Sequence, residues 1–414
     1  MKSVLVCFTA SFPYGTKETY FYNEIMSIAS AFDQIYIVPT YNPYGKMKRD
    51  TPKNVIVCEP LVEQGIRRVF AGLFNFSPIN VYFSDFFKQK VYLSLKRIKK
   101  WFNSFLVFRI TYKKFASLES AFGADAILYS YWAEAPLFFT ERCNKYLKVV
   151  RMHGGDFYLD RNDDYLPVRE YIYSFSDLIL PISNDIKLIL ESRYRIEPRK
   201  IYISYLGTNN YSKSSAIIND EKIRIVSCSN VYDLKRIPLI LEVIKQFKNN
   251  IKNVKIEWHH FGDGEGMTEL RRMANKIENH EESIFFHGSV SQLELFNFYS
   301  NNFVHWFINT SRFEGVPVSI MEAFSFGIPA IATDVGATRE IVNKSNGFLI
   351  PLDFDLVDVI EQILTVVKKD EYFRKRNKAY ETWYSKFNAS TNYKNLVEVL
   401  KRSHYSKKRK YLAK

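Results

Sequence analysis

The sequence has no paired cysteines, no long apolar runs and no clustered metal ligands, and each absence excludes a class of protein. Its four cysteines, Cys7, Cys58, Cys143 and Cys228, stand far apart without a C-x-x-C pair, so neither a disulfide framework nor a zinc site is expected. Its seven histidines form no H-E-x-x-H motif. No apolar run reaches the roughly 18 residues of a membrane-spanning helix, and the run at 4–8 is too short for a signal peptide. We therefore expect a cytoplasmic protein.

What the sequence does contain is an excess of positive charge, confined to two zones. Of its 414 residues 47% are apolar and 25% charged, which fits two or three globular domains. The net charge is +14. Residues 66–115 hold eleven Lys or Arg and a single acid, Asp85, and residues 401–414 hold seven Lys or Arg and no acid. Such zones attract polyanions, either nucleic acid or the anionic face of a membrane.

Segment 66–115 also carries fourteen aromatic residues, and rings and charges stand side by side from Lys96 to Phe102. A basic face beside an aromatic face is typical of a helix that lies in a membrane interface. A core helix whose Lys and Arg side chains extend to water is the alternative. No RNP, helix-turn-helix or zinc-finger pattern favours nucleic acid. We expect 66–115 and 401–414 to hold the protein on the inner face of an anionic membrane, with no nucleic-acid partner.

Short apolar, β-branched runs alternate with longer helical patterns in two series. The first series of candidate strands is Val4–Phe8, Ile35–Pro39, Val55–Cys58, Ala126–Tyr129, Lys148–Met152, Leu178–Pro181 and Ile201–Ser204. The second series is Ile223–Cys228, Ile256–Phe261, Ile284–Phe286, Val304–Ile308, Ala330–Ala332 and Phe348–Ile350. Continuous apolar strands joined by helices indicate parallel sheets that are covered on both faces.

The composition between the two series is typical of a linker, since Thr208–Asp220 is rich in Asn, Ser and Lys. The sequence therefore predicts two doubly wound, Rossmann-like α/β domains, 1–207 and 208–385, with a helix and a basic tail in 386–414. In such sheets ligands bind beyond the carboxyl ends of the strands, so we expect the site in a cleft between the two domains.

The segment Ser311–Gly336 carries the most chemical information. Pro317 suits the first turn of a helix, and Gly327 suits the position just past its end. A helix is therefore predicted over Pro317–Phe326. It follows a loop that contains Glu314 and precedes a buried strand.

The start of this helix is a candidate anion site, because N–H groups of Gly315, Val316 and Val318 would meet there with the positive end of the helix dipole. Two carboxylates flank it, Glu314 in the loop and Glu322 on the helix. A carboxylate as deep as Glu322 cannot be a phosphate ligand, since like charges repel, but it can accept hydrogen bonds from sugar hydroxyls such as a ribose diol. The structural alternative is that both are merely solvated surface residues.

This arrangement resembles the retaining glycosyltransferases of family four, whose GT-B fold has two facing Rossmann-like domains. Their E-x7-E motif is similar to Glu314 and Glu322. The resemblance implies that Glu314 lies near the reacting centre and contacts the donor sugar, and that Glu322 holds the ribose of the nucleotide. It also implies that 1–207 is the acceptor-side domain, that 208–385 binds the nucleotide sugar, and that the helix in 386–414 returns to the first domain.

Residues 225–236 are similar to the strand and loop that present a basic pair to the donor diphosphate in that family. Lys235 stands at the position of the family's lysine, and the resemblance implies that it acts on the leaving group, although a surface lysine would look the same. Asn230 stands where many members carry arginine, which removes one cation but keeps a hydrogen-bond donor. We expect Arg236 to share the contact with the diphosphate.

In the first domain, His153 resembles the histidine of the family's H-G-x-D turn, which reaches a hydroxyl of the donor sugar; a buried core histidine is the alternative. Asp156 of the same turn is an acceptor-side candidate and equally a turn cap. Gly15 is similar to the family's glycine loop near acceptor and phosphates, or only permits a turn. Trp132 ends a strand, where an exposed ring would suit stacking on a sugar.

Two further patterns favour structural roles. Gly262-Asp-Gly264-Glu-Gly266 lacks the full dinucleotide fingerprint, so loop glycines are expected. Asp353-Phe354-Asp355 imitates the metal-binding D-x-D of another glycosyltransferase fold, but its position before an apolar helical pattern favours capping. We expect no metal and no cofactor.

The sequence thus predicts a retaining hexosyltransferase that uses a nucleotide-diphospho-sugar and a lipid-linked or polysaccharide acceptor, in surface polysaccharide biosynthesis. Two alternatives stay open, because a fold does not fix a function. One is a nucleotide-sugar epimerase on the same scaffold. The other is a catalytically silent nucleotide-sugar-binding partner, which the presence of Asn230 would favour.

Overall fold

The computed structural model of the chain contains two compact units, one formed by Met1–Ser204 with Tyr393–Lys414 and the other by Tyr205–Asn392. The residues that the structure describes are 3–42, 45, 47–63, 66–75, 77–123, 125–210, 222–251, 254–277 and 283–412. Most of the predicted linker Thr208–Asp220 lies outside these described residues, as do position 76 and positions 413–414 of the two basic zones.

The first unit is built on a parallel sheet. Its strands are β1 (Val4–Thr9), β2 (Gln34–Pro39), β3 (Val55–Val57), β4 (Ala126–Ser130), β5 (Leu147–Met152) and β6 (Leu178–Pro181). Their order across the sheet is β3-β2-β1-β4-β5-β6, and every neighbouring pair is parallel. β4, β5 and β6 are buried along their whole length, which explains why each reads as a continuous apolar run.

The helices of the first unit connect these strands. They are α1 (Thr19–Ile28), α2 (Ile66–Phe74), α3 (Asn80–Lys88), α4 (Leu95–Phe122), α5 (Gly154–Phe157), α6 (Arg169–Phe175) and α7 (Asn184–Ser192). α4 begins where the Ser94 side chain accepts a hydrogen bond from the Arg97 N–H, and it ends at Gly123, whose φ is +72°. A polar cap and a terminal glycine are the usual boundaries of a helix.

The second unit repeats the plan. Its strands are β7 (Lys222–Cys228), β8 (Lys255–Phe261), β9 (Ile284–Gly288), β10 (Trp306–Asn309), β11 (Ala330–Thr333) and β12 (Gly347–Ile350), in the order β12-β11-β10-β7-β8-β9. Its helices are α8 (Ile237–Asn250), α9 (Met267–Ala274), α10 (Gln292–Asn301), α11 (Val318–Ser325), α12 (Leu356–Leu364) and α13 (Lys369–Thr382). The prediction of two doubly wound parallel sheets is confirmed.

Each sheet has one point where the chain changes direction across it. In the first unit β1 and β4 are neighbours, and in the second unit β7 and β10 are neighbours. At such a switch point the loops at the carboxyl ends of the two central strands diverge and leave a crevice, where ligands bind in this class of sheet.

One predicted strand was wrong. Ile201–Ser204 is extended but makes only an isolated bridge, between Ile201 and Ile179 of β6. The N–H groups of Tyr202 and Ser204 donate to carbonyl groups of β6, so the segment follows the edge of the sheet through too few bonds to form a strand. An apolar pattern does not distinguish these two situations.

A charged pair lies inside the first unit. Arg151 of β5 and Glu24 of α1 are both fully buried, with 3.0 Å between Nη1 and Oε2. The Tyr129 hydroxyl donates to Glu24 over 2.6 Å, and Arg151 donates to the Ser204 carbonyl over 2.9 Å. Burial raises the pKa of Glu24, whereas Arg151 and the Tyr129 hydroxyl lower it. These contacts supply most of the partners that a buried charged pair needs, although the Glu24 Oε2 and the Arg151 Nε have no hydrogen-bond partner among the described residues.

Ten of the fourteen aromatic residues of segment 66–115 fall into two groups, five buried and five exposed. One group is buried in the core of the first unit and comprises Tyr82, Trp101, Phe105, Phe108 and Phe115. The other is exposed together with aliphatic neighbours and comprises Phe70, Leu73, Ile79, Phe83, Phe87, Tyr92, Leu93, Leu95 and Phe102. The segment is therefore part of the core on one side and an apolar surface on the other.

The basic tail is helical over its described part. α14 (Ala389–Leu412) belongs to the first unit from Tyr393 onward. Lys407 and Lys408 form ion pairs of 2.6 and 2.7 Å with Asp177 and Asp125 of that unit. Across the described residues, no helix combines the length and the apolar character that crossing a bilayer requires.

Candidate active site

The switch point of the second unit brings together the loops that follow β7 and β10. The Thr310 hydroxyl is 3.1 Å from the carbonyl groups of Lys235 and Arg236, and the Arg312 N–H donates to the Leu234 carbonyl over 2.7 Å. Because adjacent parallel strands end at the same edge of the sheet, residues far apart in sequence are joined here. These bonds fix the position of Lys235, which closes a short 3₁₀ turn over Asp233–Lys235.

Lys235 and Glu314 form an ion pair at this point. The Lys235 Nζ lies 2.6 Å from the Glu314 Oε1, and both side chains are largely buried. The same oxygen accepts hydrogen bonds from the Ser311 hydroxyl over 2.6 Å and from the Asn309 side chain over 3.1 Å. The structure therefore brings together two residues that the sequence singled out for the same site.

The loop after β11 packs closely against the backbone of Glu314. A Cβ atom at Gly336 would lie 1.9 Å from the Glu314 carbonyl oxygen, and Gly336 has a φ of +51°. Only glycine fits both the backbone conformation and this approach. Glu314 is thus held between the loops of two neighbouring strands.

The helix predicted over Pro317–Phe326 is present as α11, which is one residue shorter at each end. Pro317 is the N-cap of α11, not its first helical residue, because its backbone is extended, with φ −70° and ψ 113°. Gly327 has a φ of +66° and follows the cap residue Phe326, as expected for a helix end. Gly315, Val316 and Val318 lie at the start, where the first turn of any helix leaves N–H groups without an acceptor inside the helix.

Glu322 is partly buried on α11. Its Oε1 accepts a hydrogen bond of 2.6 Å from the Gln292 side chain at the start of α10. Burial raises the pKa of the Glu322 carboxyl to about 7, although the bond from Gln292 lowers it. Sequence reasoning missed Gln292, since it lies thirty positions before Glu322 and outside any motif.

The loop after β8 fits tightly against the loop that carries Asn230. A Cβ atom at Gly262 would lie 1.9 Å from the Ser229 carbonyl oxygen, and one at Gly264 would lie 2.8 Å from the Val231 carbonyl oxygen. These residues therefore act as loop glycines, as expected from the incomplete fingerprint. The close packing fixes the backbone around Asn230, whose side chain is exposed.

Arg236 joins two loops of the second unit. Its Nε donates to the Thr310 carbonyl over 2.7 Å and its Nη2 to the Leu352 carbonyl over 2.9 Å. A guanidinium engaged with two backbone carbonyl groups holds loops together. The nearby Asp355 accepts a hydrogen bond from the Val357 N–H and caps α12, so the capping prediction for that D-x-D sequence is confirmed.

His153 of the first unit is buried and neutral. Its ring lies 4.7 Å from the ring centres of Tyr131 and Trp132. Within the described part of the chain, neither ring nitrogen has a hydrogen-bond partner. Burial, and to a lesser extent Arg151, lower the pKa of His153 well below its usual range. The imidazole can therefore offer one donor and one acceptor to a ligand without carrying charge.

Asp156 holds the turn that presents His153. Its two oxygens accept hydrogen bonds from the N–H groups of His153, over 2.7 Å, and of Ala133, over 2.6 Å. Burial raises the pKa of Asp156 to about 7, against the lowering effect of Arg169 and of these two N–H groups. Of the two roles considered for Asp156, the structure supports the turn cap, because both oxygens are taken up by the backbone.

Trp132 is partly buried, and Glu18 is the residue that holds it. The Trp132 Nε1 donates to the Glu18 carboxylate over 2.7 Å. The same carboxylate accepts hydrogen bonds from the N–H groups of Ala10, Ser11 and Phe12, over 3.1, 2.8 and 2.6 Å. Nothing in the motif pattern identified Glu18, because its role depends on contacts across the switch point of the first unit.

Gly15 serves the turn that was considered as its alternative role. It has a φ of +71°, and its N–H donates to the Met47 carbonyl over 3.0 Å. That N–H is therefore not available to a phosphate. Among the residues that the structure describes, no three His, Cys, Asp or Glu side chains are grouped so as to hold a metal ion.

Part of the chain matches a known protein family. Residues 209–381 match the family described as "Glycosyl transferases group 1". The O-antigen biosynthesis glycosyltransferase WbnH of Escherichia coli is 28% identical over 185 residues, which are 44% of this chain and 49% of that protein. The chain thus spans about half the length of this curated relative.

Two solved structures resemble nearly the whole chain. The apo form of the lipopolysaccharide outer core galactosyltransferase WaaB is 17% identical, with a TM-score of 0.64 over 98% of this chain and 99% of that one. Anabaena Alr3699/HepE in complex with UDP and glucose is 14% identical, with a TM-score of 0.64 over 97% of this chain and 100% of that one. The chain therefore has the GT-B fold of these glycosyltransferase structures, and its residues 209–381 match the group 1 family.

Proposed function

We propose that this protein is a glycosyltransferase that moves a hexose from a nucleotide-diphospho-sugar onto a lipid-linked or polysaccharide acceptor. The observation that carries the proposal is the Lys235–Glu314 pair at the switch point of the second unit, beside the start of α11 and on the same segment as Glu322. The similarity to an O-antigen glycosyltransferase supports a place in surface polysaccharide biosynthesis. The UDP and glucose bound by HepE support a nucleotide-sugar donor.

In the proposed mechanism, negative charge develops on the diphosphate as the bond to the sugar breaks. Lys235 and the N–H groups of Gly315, Val316 and Val318 oppose that charge, which is preorganised electrostatic stabilisation. Asn230 adds a neutral donor in place of a second cation. Glu322 accepts hydrogen bonds from the ribose hydroxyls, and Glu314 contacts the donor sugar near the reacting carbon.

We propose that the configuration of the sugar is retained. The acceptor hydroxyl attacks from the face that the diphosphate leaves, and the departing phosphate oxygen takes the hydroxyl proton. Neutral His153 hydrogen-bonds a hydroxyl of the donor sugar, and Trp132 supplies a flat apolar surface on the acceptor side. The reaction as proposed requires no divalent metal, so turnover should survive EDTA.

The proposal includes binding to the cytoplasmic face of an anionic membrane. What supports it is the apolar surface of segment 66–115, where Phe87, Leu93 and Leu95 are 65%, 69% and 85% exposed beside several lysines. Burial of such side chains in an interface, together with attraction of the lysines to anionic lipids, is how peripheral proteins bind. The tail contributes less, because Lys407 and Lys408 are already paired.

Donor binding provides the first test. UDP-glucose, UDP-galactose, UDP-N-acetylglucosamine and GDP-mannose are each added to the protein, and the melting temperature is measured. A donor at 100 times its dissociation constant stabilises the fold by about 2.7 kcal/mol, so one of them should give a clear shift. The Glu322→Gln variant should give a smaller shift at the same donor concentration. A panel without any shift would contradict the proposal.

An assay of sugar transfer distinguishes an enzyme from a silent binding partner. The silent partner is the alternative that the presence of Asn230 favours. Donor that shifts the melting temperature is incubated with and without a lipid-linked glycan acceptor. A transferase consumes donor and forms product only when acceptor is present. Conversion of the donor sugar without acceptor would identify an epimerase, and binding without any conversion would identify a silent partner.

A further inference from the structure

A cavity of about 320 Å³ lies within the first unit. One face of α4 forms its polar side, through Lys100, Asn103 and Ser104. The segment that follows β4 also lines the cavity, through Glu134, Ala135 and Pro136. This volume is at the lower end of the range for small-molecule sites, which are concave and mostly apolar with a few polar groups.

Arg169 is the most unusual residue of this cavity. Its side chain is only 4% exposed. Its Nη2 lies 3.3 Å from the Glu134 Oε1, but among the residues that the structure describes its Nε and Nη1 have no hydrogen-bond partner. A buried guanidinium with two unpaired nitrogens is costly, because it loses hydration without regaining hydrogen bonds.

The acids around Arg169 do not satisfy it. Glu134 is 69% exposed and makes a single long contact, so it can swing into solvent at little cost. Asp156 has both oxygens on backbone N–H groups, and Asp85 accepts from the Tyr165 hydroxyl. Arg169 is thus surrounded by carboxylates that are engaged elsewhere or free to leave. Its planar fork of donors matches an oxyanion such as phosphate.

Much of the remaining cavity wall is apolar, although Thr40, Tyr41, Thr111, Asn162 and Tyr165 also line it. Phe8, Leu61, Leu137, Phe138, Leu166 and Ile172 line it. α4 also carries the exposed side chains of Leu95 and Phe102. The same helix therefore lines the cavity and contributes to the apolar surface of segment 66–115.

We propose that this cavity binds a phosphate group carried on an apolar chain, with Arg169 holding the phosphate and the apolar wall holding the first carbons of the chain. A lipid-linked acceptor has this chemistry. That the bound molecule is the acceptor of the reaction rests on the proposed function, whereas the binding itself does not. The phosphate displaces Glu134 from the Arg169 Nη2 and binds that nitrogen together with one of its two unpaired neighbours. Lys100, whose Nζ lies 3.0 Å from Asp163, adds positive charge at the polar side.

The test measures binding by calorimetry with the full chain and without donor. The probes are geranyl phosphate, inorganic phosphate and geraniol, which separate the whole chemistry from its two halves. We expect geranyl phosphate to bind at least about tenfold more tightly than either of the others, since it combines apolar burial with a charge-assisted hydrogen bond.

Four variants locate the site. Arg169→Gln should weaken binding of geranyl phosphate about tenfold or more, because the charged fork is lost. Val107→Trp, which fills the cavity from α4 without changing a charge, should weaken it similarly. Glu134→Gln should strengthen it severalfold, since a competing carboxylate is removed. Arg199→Gln, at a 77% exposed arginine of the same unit, is the matched control and should have no effect.

Several results would overturn the proposal. One is that Arg169→Gln or Val107→Trp binds geranyl phosphate with the same affinity as the wild type. Another is that inorganic phosphate binds as tightly as geranyl phosphate, which would indicate a free-phosphate site. The third is that geraniol binds as tightly as geranyl phosphate, which would indicate apolar binding alone. If Arg169→Gln does not fold by circular dichroism, Val107→Trp and Glu134→Gln decide. The donor-induced melting shift, measured on the same variants, should be unchanged, so failure here is separate from failure of the proposed function.

Discussion

The Lys235 Nζ lies 2.6 Å from the Glu314 Oε1, at the point where the loops after β7 and β10 meet. The proposed donor diphosphate needs the charge that Glu314 now neutralises. In the proposed mechanism the pair loosens when donor binds, which leaves Glu314 near the sugar. Three predictions concern the charged side chains of this site, and two concern the first unit.

Loss of the lysine should slow transfer without unfolding the protein. Lys235→Met removes the cation that opposes charge on the leaving group, and we expect kcat to fall about 10²–10³-fold. Lys245→Met, at a half-exposed lysine on α8, is the control. Turnover is measured with saturating donor and circular dichroism checks the fold. Equal turnover of Lys235→Met and Lys245→Met would refute the assignment.

Neutralising the glutamate should separate binding from catalysis. Glu314→Gln frees Lys235 and removes a negative charge beside the diphosphate, so UDP should bind about fivefold more tightly, the order of one partly exposed ion pair. Transfer should nevertheless slow, because the contact with the donor sugar is altered. Calorimetry with UDP and turnover assays measure the two effects. A variant with weaker UDP binding and full activity would contradict both expectations.

Donor affinity should depend on pH through Glu322. Its raised pKa of about 7 means that the carboxyl is mostly protonated at pH 6 and mostly ionised at pH 8. The ionised form accepts hydrogen bonds from the ribose, so the dissociation constant of the donor should fall about tenfold from pH 6 to pH 8. The sugar diphosphate itself does not titrate in this range. The pH profile of Glu322→Gln should be flat, and a slope that persists there would assign the titration to another group.

The buried pair Glu24–Arg151 should matter for stability. Arg151→Met leaves a carboxylate in the core without its partner, and we expect a loss of about 3–5 kcal/mol in the free energy of unfolding of the first unit. The double variant Glu24→Leu/Arg151→Met should lose less, because no charge is stranded. Urea titrations followed by circular dichroism compare them. A double variant as unstable as the sum of the two single variants would show that the charges do not interact.

Membrane binding should depend on the apolar surface of segment 66–115. Replacing Phe87, Leu93 and Leu95 by Ser should reduce sedimentation with phosphatidylserine vesicles about tenfold or more. Leu293→Ser, at a 70% exposed leucine of the second unit, is the control. Binding by the wild type should weaken as salt screens its lysines. Binding indifferent to lipid charge and salt would contradict the prediction.

The two sheets could be predicted because parallel strands buried on both faces are continuous apolar runs between turn residues. β4, β5 and β6 show this most clearly, since their residues are buried throughout. Ile201–Ser204 has the same pattern and is not a strand, because pairing to β6 fails after one bridge. The limit is physical: a run of apolar residues reports burial, and pairing requires a partner that the run does not specify.

The candidate site was predictable where a motif places residues on loops of adjacent strands, as with Lys235 and Glu314. Gln292, Glu18 and Arg169 were missed because each acts through a contact with a residue distant in sequence. Arg236 shows the converse: its position beside Lys235 suggested a shared contact, but its guanidinium holds two backbone carbonyl groups. The side chains of neighbouring residues on a tight turn point in different directions. The spacing of the residues in the sequence does not reveal those directions.

The position of Glu18 has a consequence for anion binding in the first unit. A tethered carboxylate within bonding distance of the Ala10, Ser11 and Phe12 amides competes with any free phosphate at an effective concentration that a soluble ligand rarely reaches. The first strand of a Rossmann-like unit ordinarily leads into a phosphate loop, but here that loop carries an internal inhibitor of anion binding. A phosphate could bind these three amides only after the Glu18 carboxylate had left them.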